Sequence, residues 1–210
     1  MIEWSLSGQP LILASASPTR ASLLEAAKLL FEVVPAAIDE EPIKQSALQA
    51  GLSFDDLVVL LAELKAESVN QHQMGYVLGC DQILVCAGQL FSKPADLIEA
   101  KAHLLFLEGR EHVLKTACVL FHDQKRIWHH LSTSTLKMRT LSETEIDTYI
   151  TSFPEACLST PGAYKVEAGG SHLFIDIKGS YYDILGLPLL PLLAFLRERG
   201  LKVENQDEKC

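Results

Sequence analysis

A lone carboxylate lies inside one of the most apolar stretches of the chain. Asp81 belongs to the run 76–86, which is otherwise almost entirely apolar and is typical of a central strand. Burying an ionised carboxylate in such a strand costs several kcal/mol unless the group is paired or holds a metal. Asp81 is therefore a candidate site residue. The alternative is a structural aspartate that caps a turn or pairs with a buried arginine.

A candidate anion site lies where the first strand is predicted to lead into a helix. Ser15 and Ser17 supply hydroxyls, and Arg20 supplies a forked cation one turn later. Helix N-termini attract phosphate through their unpaired N–H groups and the positive end of the helix dipole. The same residues also fit an ordinary capped helix with a surface arginine, and both interpretations stay open.

Three further charged residues are weaker candidates. Lys93 stands just before a predicted helix start, where it could reach a phosphate, although exposed lysines are common. Lys65 borders the leucine stripe of its helix, and its ordinary role is an apolar stem with the ammonium group in water. Glu40 lies in an acidic segment and is by default a solvated charge.

Alternating strands and helices position these residues in the first half of the chain. Strands are predicted at 11–14, 31–34 and 76–86, with a short one at 89–91. Helices are predicted at 19–30, with Ser17 as N-cap and Pro18 in the first position, and at 53–69 and 94–107. Residues 38–42 are predicted to form an acidic loop.

The second half begins with two β-rich segments and ends with a helix. Strands are predicted at 113–121, 127–138 and 173–177. Ser142 and Glu145 form a capping box, which predicts a helix at 143–151. A last helix starts at Pro188 or Pro191 and ends at Gly200, before a polar tail at about 202–210. We expect one α/β domain over residues 1–210.

Composition limits the classes of function. The net charge of −9 argues against a sequence-independent nucleic-acid binder, although a few local cations can still hold a small anion. The longest apolar run, 184–196, contains two prolines and is too short to span a membrane. Five cysteines without a C-x-x-C pair suit a reducing compartment. With no secretory signal visible, we expect a soluble cytoplasmic protein.

Several blocks of the sequence, in order along the chain, resemble the Maf family of nucleotide pyrophosphatases. The blocks are residues 11–20, 31–35, 38–40, 62–66, 79–82, 92–94, 141–146, 162–164, 179–181 and 186–188. The resemblance implies an elongated, mixed-sheet α/β fold of the Maf and inosine-triphosphatase-like type. Such proteins have two lobes flanking a deep cleft and are often homodimers.

The resemblance also implies an activity and a set of site residues. The activity is cleavage of a nucleoside triphosphate between the α and β phosphates, helped by a divalent cation such as Mg²⁺ or Mn²⁺. Asp81 occupies the position of the general base, and Glu40 together with Asp81 that of the metal ligands. The positions that contact phosphate hold Ser15, Ser17, Arg20, Lys65 and Lys93.

Three positions separate substrate branches of this family. Gln82 and Glu167 resemble the branch that acts on 7-methyl-GTP, since the dTTP/UTP branch carries Thr and Gln there. Thr19 matches neither branch, because the first tends to have Trp and the second Arg. Gln82 and Glu167 together suit a base edge rich in N–H groups, so we expect guanine-type nucleotides to be preferred. In the alternative, Glu167 lies in a loop that touches no base.

Three hypotheses of function follow. The leading one is a nucleoside triphosphate pyrophosphatase that removes non-standard or surplus nucleotides. The second is a non-catalytic nucleotide-binding regulator of cell division. The third is a phosphoester hydrolase that acts on another small anion. The presence of all the charged site residues favours the first.

Overall fold

The chain forms two compact units in its computed structural model, which describes residues 2–6 and 9–205. Unit 1 comprises Met1–Asp81, Thr116–Ser132 and Gly186–Cys210, and unit 2 comprises Gln82–Lys115 and Thr133–Leu185. Each unit is therefore built from segments that are distant in sequence. The prediction of a single domain over residues 1–210 stays a prediction.

The strands alternate with helices along much of the chain. Within the described residues the strands are β1 (Ile2–Leu6), β2 (Leu11–Ala14), β3 (Phe31–Val33), β4 (Tyr76–Cys86), β5 (Gln89–Phe91), β6 (Glu111–His122), β7 (Lys125–Met138), β8 (Phe174–Lys178) and β9 (Leu201–Asn205). The helices are α1 (Pro18–Ala26), α2 (Glu40–Gln49), α3 (Phe54–Asn70), α4 (Leu97–Leu107), α5 (Glu143–Ser152), α6 (Pro154–Ser159), α7 (Tyr181–Ile184) and α8 (Leu189–Glu198). No helix in this part of the chain is long and apolar enough to cross a membrane.

Among residues 2–6 and 9–205, the main sheet has seven strands and mixes parallel with antiparallel pairs. Its order is β3-β2-β4-β6-β7-β8, and β5 pairs with β4. Strand β2 is parallel to both β3 and β4, whereas β8 is antiparallel to β7. Strands β1 and β9 form a separate two-stranded antiparallel sheet. The mixed-sheet α/β class predicted from the sequence is confirmed.

Helix α3 packs directly on β4 in unit 1, because small residues line the contact. A Cβ atom added to Gly79 would lie 2.1 Å from the backbone oxygen of Ala62 and 2.6 Å from the backbone nitrogen of Ala66. Ala62 and Ala66 are themselves fully buried. Only glycine therefore allows this close approach of helix and strand. The contact places one turn of α3 beside the segment of β4 that contains Asp81.

The hydrophobic core of unit 2 lies between its helices and the parts of the long strands β4, β6 and β7 that belong to this unit. It contains Leu104 and Leu107 from α4, Ile146 from α5, and Leu136 and Met138 from β7. The capping box of α5 is present as predicted. Ser142 Oγ accepts from the backbone N–H of Glu145, and the Glu145 carboxylate accepts from the backbone N–H of Ser142. This helix start is encoded locally, which is why the sequence predicts it well.

Two predictions for the first half of the chain were wrong. Residues 40–42, predicted as part of an acidic loop, open helix α2. The acidic first turn suits the helix dipole, and Pro42 is tolerated there because the first helical N–H groups need no intrahelical partner. Helix α1 ends at Ala26 instead of Leu30. Lys28 has a φ of 55°, and the following residues pair with β1 at Trp4.

The predicted polar tail also differs. Lys202–Asn205 belong to β9, which pairs with β1. The local composition of this segment does not reveal that pairing. Residues 206–210 lie outside the described residues.

Candidate active site

The loop between β2 and α1 is organised by the side chains of two serines. Ser17 is the N-cap of α1, and its Oγ accepts from the backbone N–H of Arg20 at 3.3 Å. Pro18 occupies the start of the helix. Ser15 Oγ accepts from the backbone N–H of Ser17 at 3.2 Å. The predicted cap is confirmed, and it holds both hydroxyls at the helix N-terminus.

Arg20 is buried and connects three segments of unit 1. Its Nε donates to the carbonyl of Gly186 at 2.7 Å, and its Nη1 donates to the carbonyl of Cys80 at 2.9 Å. Nη1 also donates to Ser15 Oγ at 3.1 Å. The alternative of a surface arginine is therefore wrong. Arg20 brings a permanent positive charge to the residue directly before Asp81.

Asp81 is buried in β4 and pairs with Lys65 of α3. Lys65 Nζ donates to Asp81 Oδ1 at 2.5 Å. The other carboxylate oxygen, Oδ2, is buried and has no hydrogen-bond partner among the described residues. Burial raises the pKa of Asp81 above its ordinary value and outweighs the opposing charges of Lys65 and Arg20, while Glu40 adds to the rise. A carboxylate of this kind is a stronger base than an exposed one.

Glu40, the first residue of α2, completes a chain of ion pairs. Its Oε1 lies 2.7 Å from Lys65 Nζ, so one ammonium group contacts both Glu40 and Asp81. Burial would raise the pKa of Glu40, but the charges of Lys65 and Lys44 prevail and lower it. Glu40 is therefore held as a carboxylate. Glu40 is 35% exposed and paired with two lysines, so the default interpretation of a solvated charge accounts for only part of its surroundings.

Lys44 also belongs to this cluster, although sequence reasoning missed it. Its Nζ lies 3.4 Å from Glu40 Oε2 and 2.8 Å from Glu41 Oε1. Burial lowers the pKa of Lys44, but the charges of Glu41, Glu40 and Asp81 raise it overall. The signal was the spacing of Glu40 and Lys44, which are one turn apart on a helix. Because this segment was interpreted as a loop, the spacing carried no meaning.

The remaining predicted site residues lie outside this ion-pair cluster of Glu40, Lys44, Lys65 and Asp81. Thr19 is half-buried near the start of α1. Gln82 belongs to unit 2, and its Nε2 donates to the carbonyls of Asp183 at 2.9 Å and Ile184 at 3.1 Å. Both amide hydrogens are thus engaged by the backbone of α7. Lys93 is exposed after β5, also in unit 2.

Glu167 is exposed in the turn region before β8, and its charge contributes to the raised pKa of Tyr149. Burial first, and then Cys157 and Glu167, raise the pKa of Tyr149 to about 12. Glu167 therefore lies near an aromatic side chain of α5.

The sequence pattern of the Maf-like protein family matches residues 10–199 of this chain. The chain belongs to the Maf-like family. A relative from Granulibacter bethesdensis, named nucleoside triphosphate pyrophosphatase, is 46% identical over 189 residues, covering 90% of this chain and 96% of the relative. A relative from Hyphomonas neptunium with the same name is 46% identical over 187 residues, covering 89% and 94%. A relative from Rhizobium meliloti, named 7-methyl-GTP pyrophosphatase, is 44% identical over 191 residues, covering 90% and 96%.

The acidic residues Glu40 and Asp81 of this Maf-like chain fit a divalent cation that is also bound by the phosphates of a substrate. Within residues 2–6 and 9–205, no group of three or more His, Cys, Asp or Glu could hold a metal ion by itself. Glu40 and Asp81 nevertheless share one lysine, and Asp81 Oδ2 is buried without a hydrogen-bond partner in the same range. Mg²⁺ is usually bound through one or two carboxylates, with phosphate oxygens and water completing the shell. The donor set therefore fits such an ion.

Proposed function

We propose that this Maf-like protein hydrolyses a nucleoside triphosphate between its α and β phosphates, giving the monophosphate and pyrophosphate. The observation that carries the proposal is the pairing of Lys65 with the buried Asp81, one oxygen of which has no hydrogen-bond partner in the described structure. Relatives that match about nine-tenths of the chain bear the name of this activity. A buried base next to a cation suits this reaction, because the base can orient and deprotonate water while the cation stabilises the phosphate charge.

Asp81 is the general base in this proposal. It orients a water molecule and accepts its proton while the water oxygen attacks the α phosphorus. The bond between the α phosphorus and the bridging oxygen breaks, and pyrophosphate leaves. The raised pKa of Asp81 supports this role, because a base works best when its pKa approaches the pH of the reaction.

The cations and hydroxyls stabilise the charge of the phosphates. Lys65 and Lys93 supply ammonium groups, and Arg20 supplies a fixed positive charge. Ser15 and Ser17 present hydroxyls at the N-terminus of α1, where the helix dipole also attracts an anion. Glu40 and Asp81 would hold Mg²⁺ or Mn²⁺, which withdraws electron density from the phosphates when bound.

The proposal extends to the choice of base. We assign the discrimination between bases to Thr19, Gln82 and Glu167, with guanine-type nucleotides preferred over dTTP and UTP. The carboxylate of Glu167 can only accept hydrogen bonds, which suits the N–H groups of a guanine edge better than the two carbonyls of uracil. The relative from Rhizobium meliloti bears a name that points to the same class of base. A cytoplasmic location suits such a substrate, and a homodimer stays a prediction.

The test is product analysis with the purified protein. A panel of 7-methyl-GTP, GTP, CTP, UTP and dTTP is incubated with Mg²⁺ or Mn²⁺ in water enriched in ¹⁸O. We expect monophosphate and pyrophosphate, with the heavy oxygen in the monophosphate, since water attacks the α phosphorus. Diphosphate with inorganic phosphate, or label in pyrophosphate, would contradict the proposal. Nucleotide binding without any product would favour a non-catalytic regulator.

A further inference from the structure

The side chain of Lys44 is mostly buried, on a helix that is otherwise largely exposed. Its side chain retains 11% of its accessible surface, which is as little as the 12% of Lys65. Its neighbours Gln45 and Ser46 on α2 are exposed. Lysine is rarely buried unless its charge is paired, so the position of Lys44 calls for partners inside the cluster.

Lys44 and Lys65 bind opposite oxygens of the same carboxylate. Lys44 Nζ lies 3.4 Å from Oε2 of Glu40, and Lys65 Nζ lies 2.7 Å from Oε1. Rotation of the Glu40 carboxylate would break both contacts. Glu40 is therefore clamped in one orientation by two ammonium groups.

Ordinary pairing within a helix does not account for this arrangement. An exposed pair at this spacing stabilises a helix by only about 0.3–0.5 kcal/mol and needs no burial. Lys101 of α4 also contacts two carboxylates, those of Glu143 at 2.8 Å and Asp147 at 2.7 Å on α5, yet 29% of its side chain stays exposed. Lys44 also lies within the electrostatic field of Asp81. Besides its 2.8 Å contact with the exposed Glu41, Lys44 is therefore directed by Glu40 and Asp81 towards the ion-pair cluster.

We propose that Lys44 is a positioning residue for hydrolysis: it holds Oε2 of Glu40, so that Oε1 stays on Lys65 and Lys65 stays on Asp81. This inference rests on the proposed function. Lys44 acts through Glu40 and does not contact the substrate. Its loss therefore lowers turnover more than it weakens nucleotide binding.

The test is a double-mutant cycle of Lys44→Met with Glu40→Gln. Lys44→Met in the parent should lower kcat roughly ten- to hundredfold, the order expected when a reacting group is misplaced by about 1 Å. In the Glu40→Gln background the same change should lower kcat less than about twofold, because the residue through which Lys44 acts is already altered. Lys44→Arg should restore most of the turnover. Lys101→Met, the matched control, should leave kcat unchanged.

Binding provides a readout that does not depend on turnover. Calorimetry with a triphosphate that carries a methylene group between the α and β phosphorus atoms, without metal, should give affinities for parent and Lys44→Met within about threefold. A large loss of affinity in both Glu40 backgrounds would show that Lys44 contacts phosphate itself and would overturn the positioning role. If Lys44→Met does not fold, Lys44→Gln takes its place in the cycle.

The outcomes separate this inference from the proposed function. If the parent is active and the effects of the two substitutions on kcat multiply independently, the role of Lys44 is overturned but the proposed function is not. Full turnover in Lys44→Met has the same consequence. A parent that releases no pyrophosphate from any nucleotide overturns the proposed function and, with it, a role for Lys44 in that reaction.

Discussion

Lys65 Nζ contacts Asp81 Oδ1 at 2.5 Å, across the interface between α3 and β4. The contact depends on Gly79, because a side chain there would collide with the backbone of α3. The same ammonium group reaches Glu40 at the start of α2. One lysine therefore joins two carboxylates that come from different elements.

Replacement of Asp81 by asparagine should abolish most of the turnover. We expect Asp81→Asn to lower kcat by about 10²–10⁴-fold, the usual loss when a general base is removed. The amide keeps the size of the side chain, so thermal unfolding should still show a folded protein. Asp176→Asn, which changes an exposed carboxylate on β8, is the control. Near-parent pyrophosphate release by Asp81→Asn would make Asp81 a structural residue.

Removal of the charge of Lys65 should change the pH dependence of catalysis. Burial already raises the pKa of Asp81, and Lys65 opposes that rise. Lys65→Met should therefore raise this pKa further, so that less of the base is ionised at a given pH. The acidic limb of the profile of kcat/KM should move to higher pH, while Lys65→Arg should leave it near the parent position. An unmoved limb in Lys65→Met would mean that another group controls it.

Lys93→Ala should slow the hydrolysis of every triphosphate by a similar factor. Lys93 is proposed to contact phosphate, so the loss should be roughly ten- to hundredfold in kcat/KM for each nucleotide, as for a lost hydrogen bond to a charged group. Stability should not change, since Lys93 is exposed. Lys125→Ala, at another exposed lysine, is the control. A loss confined to one base would remove Lys93 from the phosphate site.

Gly79→Ala should damage stability and activity together. The new Cβ would meet the backbone of Ala62 at 2.1 Å, so α3 must shift away from β4. We expect the free energy of unfolding in urea to fall by about 1–3 kcal/mol or more. Turnover should also fall, because Lys65 moves with α3. Gly200→Ala, where a Cβ meets nothing within 4 Å, should leave turnover intact and so controls for activity, although its φ of 92° means that alanine there costs some stability of its own. Parent-like stability of Gly79→Ala would refute this packing argument.

Gln82 and Glu167 are expected to control which base is preferred. The parent should prefer guanine-type nucleotides, and Gln82→Thr combined with Glu167→Gln should shift the preference towards UTP and dTTP. Ratios of kcat/KM across the panel measure this shift. Gln82→Thr also removes two hydrogen bonds to the backbone of α7, so thermal unfolding of each single variant serves as the control. An unchanged ranking, or a parent that already favours pyrimidines, would show that these residues do not discriminate between bases.

The sequence by itself determined the elements that depend on neighbouring residues. The cap at Ser17, the capping box of Ser142 and Glu145 and the apolar strand around Asp81 were predicted because hydrogen bonds within one turn, or the side chains of one segment, encode them. Family resemblance added the candidate residues and the activity.

The tertiary structure decided which charges meet. Lys65 and Asp81 are distant in sequence, and their contact requires the close packing of α3 on Gly79. Arg20 proved to be buried among backbone carbonyls, and α2, interpreted as a loop, brought Lys44 into the cluster. Periodicity indicates which face of a helix is buried but not which residues that face contacts. A charged residue whose partner lies in another element is therefore interpreted as solvent-exposed when only the sequence is known. For that reason the pairing of these charges became visible only in the folded chain.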